Sequence, residues 1–283
     1  MAVLTIKPGQ LRLALYLLLS AGAATAYLAI AQAQNGEFGF PLDDAWIHQV
    51  YARNLVARGE FSFFPGEPSA GSTSPLWALL LAGGRAVFGD ARGWSILLGI
   101  LALAGSAFLS SRIALRLNSS RQIAFWLAPA FTIFEWHLTW AAVSGMEILL
   151  FILLSLALVN ALFSGTRPFD LGLLAGLLTL TRPEGAVLGG LVGFAYLAPI
   201  LKQGARREGA KSLVPEFFAM VGGFLLPVAP YLWFNYWTAG SLLPNTFYAK
   251  TQEYASLLSG TSLLERWAGL FRQPVLGGQI LLV

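Results

Sequence analysis

Apolar runs recur along the whole chain and are separated by short polar segments. A transmembrane helix needs about 20 consecutive, mostly apolar residues. Seven runs are predicted to be such helices, some of them short, and they cover residues 12–33, 93–112, 122–140, 147–164, 169–181, 184–200 and 213–237. A further apolar run starts near residue 275, and we expect it to open another span that continues past residue 283. The pattern therefore predicts an all-α, polytopic transmembrane helical bundle.

The first apolar run has two interpretations. Lys7 and Arg12 precede most of it, and Ala31-Gln32-Ala33 near its end resembles the cleavage site of a signal peptide. The apolar region of a signal peptide has roughly 7–15 residues, which is shorter than the run here. We therefore predict an uncleaved first transmembrane helix.

Residues 75–89 form an apolar segment that is short and is interrupted by Arg85. The distribution of basic residues indicates whether segment 75–89 crosses the membrane, because cytoplasmic loops carry an excess of Lys and Arg. The basic residues gather on one side of the membrane only if 75–89 does not cross it, so that the segment is either re-entrant or interfacial. The basic residues in question are Lys7, Arg12, Arg112, Arg116, Arg121, Arg167, Lys202, Arg206, Arg207 and Lys211. We therefore predict that residues 34–92 form a large first extracytoplasmic loop bearing interfacial helices.

The composition is typical of a membrane protein and argues against several kinds of chemistry and binding. Hydrophobic residues make up 56% of the 283 residues and charged residues only 11%, whereas soluble domains average about 25% charged residues. The absence of Cys excludes thiol and disulfide chemistry, and the presence of only two His residues excludes a His-rich metal site. The net charge of +4 comes from basic residues near helix ends, so membrane topology explains it better than nucleic-acid binding does.

An acidic pair, Asp43-Asp44, follows the first apolar run. Ionisable groups are costly near a membrane interior and are therefore candidates for function. Asp is also a preferred N-cap residue, so one member of the pair is explained as the cap of a following helix, whereas the second is surplus to that role. Chemistry alone does not indicate which of Asp43 and Asp44 has the functional role. His48 lies one turn after Asp44 and could orient a carboxylate, but the sequence gives no reason to select it.

The helix predicted after the acidic pair is amphipathic. Its apolar positions recur at helical spacing and are Trp46, Ile47, Val50, Tyr51 and Leu55. The opposite, polar face is assigned Gln49, Arg53, Asn54 and Arg58. A helix with this pattern is expected to lie in the plane of the membrane interface.

Four more charged residues fall on the same predicted side of the membrane. Glu147 precedes a helix, where it either stabilises the helix N-terminus through the dipole or serves a site. Arg182 and Glu184 interrupt an apolar stretch, either as an internal ion pair or with the arginine as an anion-binding group. Lys250 is either an interfacial lysine or an anion-binding point charge. Because the Lys and Arg counts alone placed these residues on one side, their convergence predicts a single site at the outer face.

These motifs together resemble those of the polyprenyl-phosphate-dependent membrane glycosyltransferases of the GT-C superfamily. The branch they resemble is the bacterial one of arabinofuranosyltransferases and mannosyltransferase-like proteins. The matching stretches occur in order along most of the chain and lie at 43–47, 51–55, 65–67, 71–77, 144–147, 182–185 and 245–250. Each stretch is weak alone, and the ordered set is what carries the resemblance.

The resemblance implies a GT-C-like bundle whose first outer loop carries acidic residues that serve the chemistry. The second acidic position of such enzymes, in the next outer loop, would match Glu147. The chain departs from the family at Trp46, where Phe or Tyr is common, and at Ile148, where Thr is common. Residues 1–283 would then be the N-terminal part of the domain, with further helices and any soluble outer domain missing. The expected location is the bacterial cytoplasmic membrane, with the site facing the periplasm or exterior.

The implied reaction moves a sugar from a polyprenyl-phosphate donor to a hydroxyl of a glycan, lipid or protein acceptor, with inversion. Asp43 or Asp44 would be the general base. Arg182 and Lys250 would stabilise the leaving lipid phosphate, with Arg53 a weaker candidate for substrate binding. Glu147 and Glu184 complete the expected substrate-binding set. Carboxylates that converge could hold a divalent metal, but this chemistry does not require one, so no cofactor is predicted.

Transport is an alternative class of function to glycosyl transfer. Broken helices and charged residues also mark polytopic transporters and lipid flippases. Such a protein should place its essential charges near the bilayer midplane and show an internal repeat. The chain has no convincing repeat and its charges cluster at one interface, so transport is the alternative prediction.

Overall fold

The computed structural model describes residues 8–36, 39–117, 120–203, 210–258 and 260–276. Within these ranges every regular element is a helix, and one isolated β-bridge joins Ser62 and Pro68. The all-α prediction is therefore confirmed for the part of the chain that the structure describes. Lys7, Arg206, Arg207 and most of the apolar run predicted after residue 275 lie outside the described residues.

The helices follow one another with short connections. They are α1 (Pro8–Asn35), α2 (Asp44–Arg58), α3 (Pro75–Phe88), α4 (Ala91–Arg116), a π-helical segment (Ile123–Leu127), α5 (Ala128–Phe134), α6 (Trp136–Val143), α7 (Ile148–Phe163), α8 (Pro168–Thr181), α9 (Gly185–Gln203), α10 (Ala210–Ala239), α11 (Asn245–Leu258) and α12 (Leu263–Leu276).

Three helices in the described residues are long and apolar enough to cross a membrane. They are α1, α4 and the part of α10 from Val214 to Ala239. A fourth is counted if α6 and α7, which meet at a bend of 117°, form one broken span. The predicted spans at 169–181 and 184–200 correspond to α8 and α9, which are apolar but shorter. These helices are consistent with a multi-pass membrane protein.

The run predicted as one helix over 122–140 is divided, and that prediction is wrong. The chain is extended at Glu135, with φ −64° and ψ 120°. The Glu135 carboxylate accepts a hydrogen bond from the backbone N–H of Leu138 at 2.9 Å and lies 2.5 Å from Nδ1 of His137. A polar side chain inside the apolar run thus ends α5 and caps α6, because a carboxylate satisfies the free N–H groups of a helix start.

Contacts between helix ends show which of them lie together at the same end of the bundle. Arg116, at the end of α4, donates hydrogen bonds to the Phe163 carbonyl at 2.7 Å and the Ser164 hydroxyl at 2.8 Å, where α7 finishes. The Tyr16 hydroxyl of α1 donates to the Phe125 carbonyl at 3.0 Å. Because α7 has 16 residues, its beginning at Glu147 lies about 24 Å from this end. Arg116 therefore occupies the opposite end of the bundle from Glu147.

Close packing against α10 fixes the position of the first half of α8. A Cβ atom at Gly172 would lie 1.9 Å from the Met220 carbonyl oxygen, and one at Gly223 would lie 2.0 Å from that of Phe169. Neither position has room for any side chain. Small residues let helix backbones approach closely and are the usual basis of packing between membrane helices.

The face of α2 that packs inward differs from the predicted one. Trp46 and Ile47 are 43% and 36% exposed, whereas Gln49 and Asn54, which were assigned to the polar face, are buried. Asn54 Nδ2 donates hydrogen bonds at 3.0 Å to the carbonyls of Ser62 and Phe63, so it fixes the loop that follows α2. A buried amide is stable here because these carbonyls satisfy it.

Candidate active site

A cavity of about 560 Å³ lies at the end of the bundle that contains Glu147. Five segments line it: the start of α2, residues 71–73, the turn before α7, the junction of α8 and α9, and one face of α11. Of the seven predicted site residues, it is lined by Asp44, Glu147, Arg182, Glu184 and Lys250. The fold therefore brings together charged residues that are up to 206 positions apart in the sequence, from Asp44 to Lys250.

Asp43 and Arg53 are not among the lining residues of this cavity. Asp43 is the N-cap of α2, and its carboxylate accepts a hydrogen bond from the Asp44 N–H at 3.0 Å. The Arg53 side chain is exposed and donates a long hydrogen bond, 3.4 Å, to Asn54 Oδ1. Arg58, the other arginine of this helix, lies in its last turn. The acidic pair is thus divided between a capping residue and a residue at the cavity.

Glu147 and Arg182 form the central ion pair of the cavity. Oε1 of Glu147 accepts a hydrogen bond from an Arg182 guanidinium nitrogen at 2.8 Å. The glutamate side chain is only 4% exposed, whereas that of the arginine is 37% exposed. Glu184 contacts the same guanidinium more weakly, at 3.4 Å, and its side chain is 63% exposed. Arg182 therefore contacts two carboxylates that differ greatly in burial.

His48 is a site residue that the sequence interpretation did not select. Its Nε2 lies 3.2 Å from Oε2 of Glu147, and the side chain is 7% exposed. Asp44 and His48 are four residues apart on α2, a spacing that places them on the same helix face. That spacing was the signal in the sequence by which His48 could have been selected as a site residue. The partner, Glu147, is 99 residues further along the chain, so its proximity could not be read from the sequence.

Burial and charge act in opposite directions on Glu147, which lies in the turn between α6 and α7. Burial raises the pKa of its carboxyl, but the contact with His48, together with the positive charge of Arg182, outweighs burial and holds the pKa below its ordinary value. Glu147 is therefore a carboxylate at neutral pH.

The turn that carries Glu147 is fixed by Gly145 and Trp77. Gly145 has φ +78°, a conformation that favours glycine, and a Cβ atom there would lie 2.7 Å from the Phe40 ring. The Trp77 indole N–H of α3 donates a buried hydrogen bond to the Gly145 carbonyl at 3.0 Å. These contacts lock the turn against α3 and so determine where the Glu147 carboxylate points.

The wall formed by residues 71–73 is tied to the helices that follow α9. The backbone N–H of Asn245 donates to the Ala70 carbonyl at 2.9 Å, and the Thr246 hydroxyl donates to the Gly71 carbonyl at 3.1 Å. The Tyr231 hydroxyl of α10 donates to the Ser72 carbonyl. These bonds anchor the start of α11, from which Lys250 reaches the cavity one turn later.

The cavity contains one lysine whose charge is not neutralised by a near neighbour. Within the described part of the chain, no carboxylate pairs with Lys250. Arg182, in contrast, contacts two carboxylates. Asp44 is exposed at the cavity and forms no ion pair among the described residues. The cavity thus presents an accessible carboxylate and an accessible ammonium group to a ligand.

Comparisons with known proteins give no match for this chain. No family model, no curated protein and no solved structure matches it. The resemblance to the GT-C superfamily therefore rests on the sequence motifs alone, and function has to be argued from the chemistry of the cavity.

Proposed function

We propose that the chain is a GT-C-like membrane glycosyltransferase that moves a sugar from a polyprenyl-phosphate donor to an acceptor hydroxyl. The observation that carries this proposal is that Asp44, Arg182 and Lys250 line one cavity together at one end of the bundle. Sugar transfer from a lipid phosphate needs a group that accepts a proton and cations that stabilise the phosphate, and these residues provide both.

Asp44 is the proposed general base. Its side chain is exposed at the cavity, whereas Asp43 caps the helix and is not a lining residue. A general base must come within hydrogen-bond reach of the proton that it abstracts, so the cavity residue is the better candidate. The acceptor hydroxyl would lose its proton to the Asp44 carboxylate as its oxygen bonds to the anomeric carbon. The bond from that carbon to the phosphate oxygen breaks on the opposite face, with inversion.

Lys250 and Arg182 are the proposed phosphate-binding residues. Lys250 is exposed and pairs with no carboxylate among the described residues, so it can contact an anion without first breaking an ion pair. Arg182 is oriented by Glu147 and keeps part of its guanidinium accessible. Fixed cations placed where negative charge develops lower the barrier to reaction, which is the role proposed for both residues as the lipid phosphate leaves.

A second, apolar cavity supports a lipid-linked donor. It has a volume of about 320 Å³ and lies among α7, α8, α9 and α10. Ala186 and Gly190 line it, while Val187 of the same helix lines the charged cavity. The two cavities are therefore neighbours along α9. We place the phosphate in the charged cavity and the start of the prenyl chain in the apolar one, in a bacterial cytoplasmic membrane with the charged cavity facing outward.

The test compares Asp44→Asn with Asp43→Asn in protein reconstituted in sealed liposomes. Polyprenyl-phosphate mannose and polyprenyl-phosphate arabinofuranose serve as donors, glycan and lipid alcohols serve as acceptors, and the released polyprenyl phosphate is measured. Loss of a general base should lower turnover by about 10²–10⁴-fold for Asp44→Asn. Asp43→Asn is the matched control and should stay close to wild type. Full turnover by Asp44→Asn would contradict the assignment, and movement of lipid across the bilayer without sugar transfer would favour the transporter alternative.

A further inference from the structure

We propose that His48 is a positioning residue that acts through Glu147 to hold the Arg182 guanidinium in the cavity. This inference rests on the proposed function, because it assigns Arg182 to the phosphate of the donor. The chain of contacts runs from Nε2 of His48 to Oε2 of Glu147 at 3.2 Å, and from Oε1 of Glu147 to Arg182 at 2.8 Å.

The two oxygens of Glu147 are divided between two partners. One oxygen is directed at Arg182 and the other at His48, and the carboxylate is 4% exposed. A substrate hydroxyl therefore has little access to this carboxylate. Glu147 is better suited to fixing a cation than to binding an acceptor, which separates its role from that of the exposed Asp44.

Arg182 needs such a fixed partner because a second carboxylate competes for it. Arg182 ends α8 in an extended conformation, with φ −153° and ψ 138°, and Pro183 follows. Glu184 lies 3.4 Å from its guanidinium on the solvent side, where long side chains are mobile. The shorter contact with the buried Glu147 holds the guanidinium against the buried wall of the cavity, which the exposed Glu184 also lines. If the Glu147 carboxylate could rotate, that geometry would be lost.

Stability alone does not explain a buried imidazole at this position. Nδ1 of His48 is buried and has no hydrogen-bond partner among the described residues. Oε2 of Glu147 also accepts no hydrogen bond among them, so its contact with Nε2 of His48 at 3.2 Å is a close approach at ion-pair distance. An unsatisfied buried polar group costs free energy, and a charged or polar pair in the interior is often no more stabilising than an apolar one of the same shape. The imidazole is accounted for if its Nε2 holds the second oxygen of Glu147 electrostatically, which an apolar side chain could not do.

The test is a double-mutant cycle on ligand binding in nanodiscs. The probe is farnesyl phosphate, and farnesol is the control that lacks the anion. We expect wild type to bind farnesyl phosphate more tightly than farnesol, and both His48→Ala and Arg182→Ala to weaken binding of the phosphate by about tenfold, within the range of coupling between contacting residues. The double variant should bind no more weakly than Arg182→Ala alone, because the effect of His48 passes through Arg182.

A second pair of variants separates positioning from folding. His48→Gln places an amide N–H near the position of Nε2 and should bind farnesyl phosphate within about threefold of wild type. His48→Asn is also polar but too short to reach Glu147, so it should behave like His48→Ala, and it replaces that variant in the cycle if His48→Ala does not fold.

Three results overturn the inference. Additive losses in the cycle would mean that His48 acts on the fold and not through Arg182. A His48→Gln variant as weak as His48→Asn would exclude the Nε2 contact. Equal binding of farnesyl phosphate and farnesol by wild type would remove the phosphate site and the proposed function with it, whereas the first two results leave the proposed function standing.

Discussion

Replacing Glu147 by Gln should destabilise the protein far more than replacing Glu184 by Gln, although both carboxylates contact Arg182. Breaking a buried ion pair costs about 3–5 kcal/mol, and an exposed pair contributes about 0–1 kcal/mol. Glu147 is buried, but the arginine side chain is 37% exposed and can regain water when its partner is lost. The cost of Glu147→Gln should therefore fall between these limits, at about 2 kcal/mol.

Glu184→Gln is the matched control, because its carboxylate is 63% exposed and lies 3.4 Å from the same guanidinium. Its effect should be below about 0.5 kcal/mol. Both variants are measured by thermal and denaturant unfolding in detergent micelles, followed through the fluorescence of the nine tryptophans. Equal losses for the two variants, or no loss for Glu147→Gln, would refute the view that burial decides the strength of this pair.

The difference in stability between wild type and Glu147→Gln should change with pH in one direction. The folded-state pKa of Glu147 is lowered from an ordinary value of 4.5. The stabilisation is therefore fully present above that value, and it is lost as the pH falls through the folded-state pKa. The difference between wild type and Glu147→Gln should therefore be present at neutral pH and should disappear in acid, below the ordinary value. A difference that persists undiminished in strong acid would contradict the assignment of a charged Glu147.

Two further predictions concern packing and topology. Gly223→Ala should destabilise by about 2 kcal/mol or more, because its Cβ would lie 2.0 Å from the Phe169 carbonyl oxygen, whereas the adjacent Gly222→Ala, with no atom within 4 Å, should be neutral in the same unfolding assay. The chain has no cysteine, so Glu184→Cys and Arg167→Cys can be labelled singly with a membrane-impermeant maleimide. The first should react in intact cells and the second only after permeabilisation, and the reverse pattern would overturn the proposed orientation.

The sequence predicted most of what depends on local pattern. Apolar runs and helix-breaking residues located α1, α4 and α10, because a helix that crosses a membrane must satisfy its backbone internally and show an apolar surface to lipid. The same reasoning failed at Glu135. Residues 122–140 were predicted as one helix, but the carboxylate of Glu135 inside this run caps a new helix in the structure.

The candidate site was predicted in part for a related reason. Charged residues are rare in such a chain, so Asp44, Glu147, Arg182 and Lys250 stood out, and the bundle places them around one cavity. Arg53 was a weaker candidate, and it is not a lining residue of that cavity. Rarity selects candidates, but it does not say which way a side chain points.

What the sequence determined by itself is the helical class, the approximate positions of the long apolar helices and a short set of charged candidates, since each of these follows from residues close together in the chain. Only the tertiary structure decided that Asp43 caps α2 while Asp44 lines the cavity, and that His48 meets Glu147. The physical reason is that these outcomes depend on the rotation of α2 against the turn before α7. That rotation is fixed by packing between residues about 100 positions apart, and no local pattern encodes it.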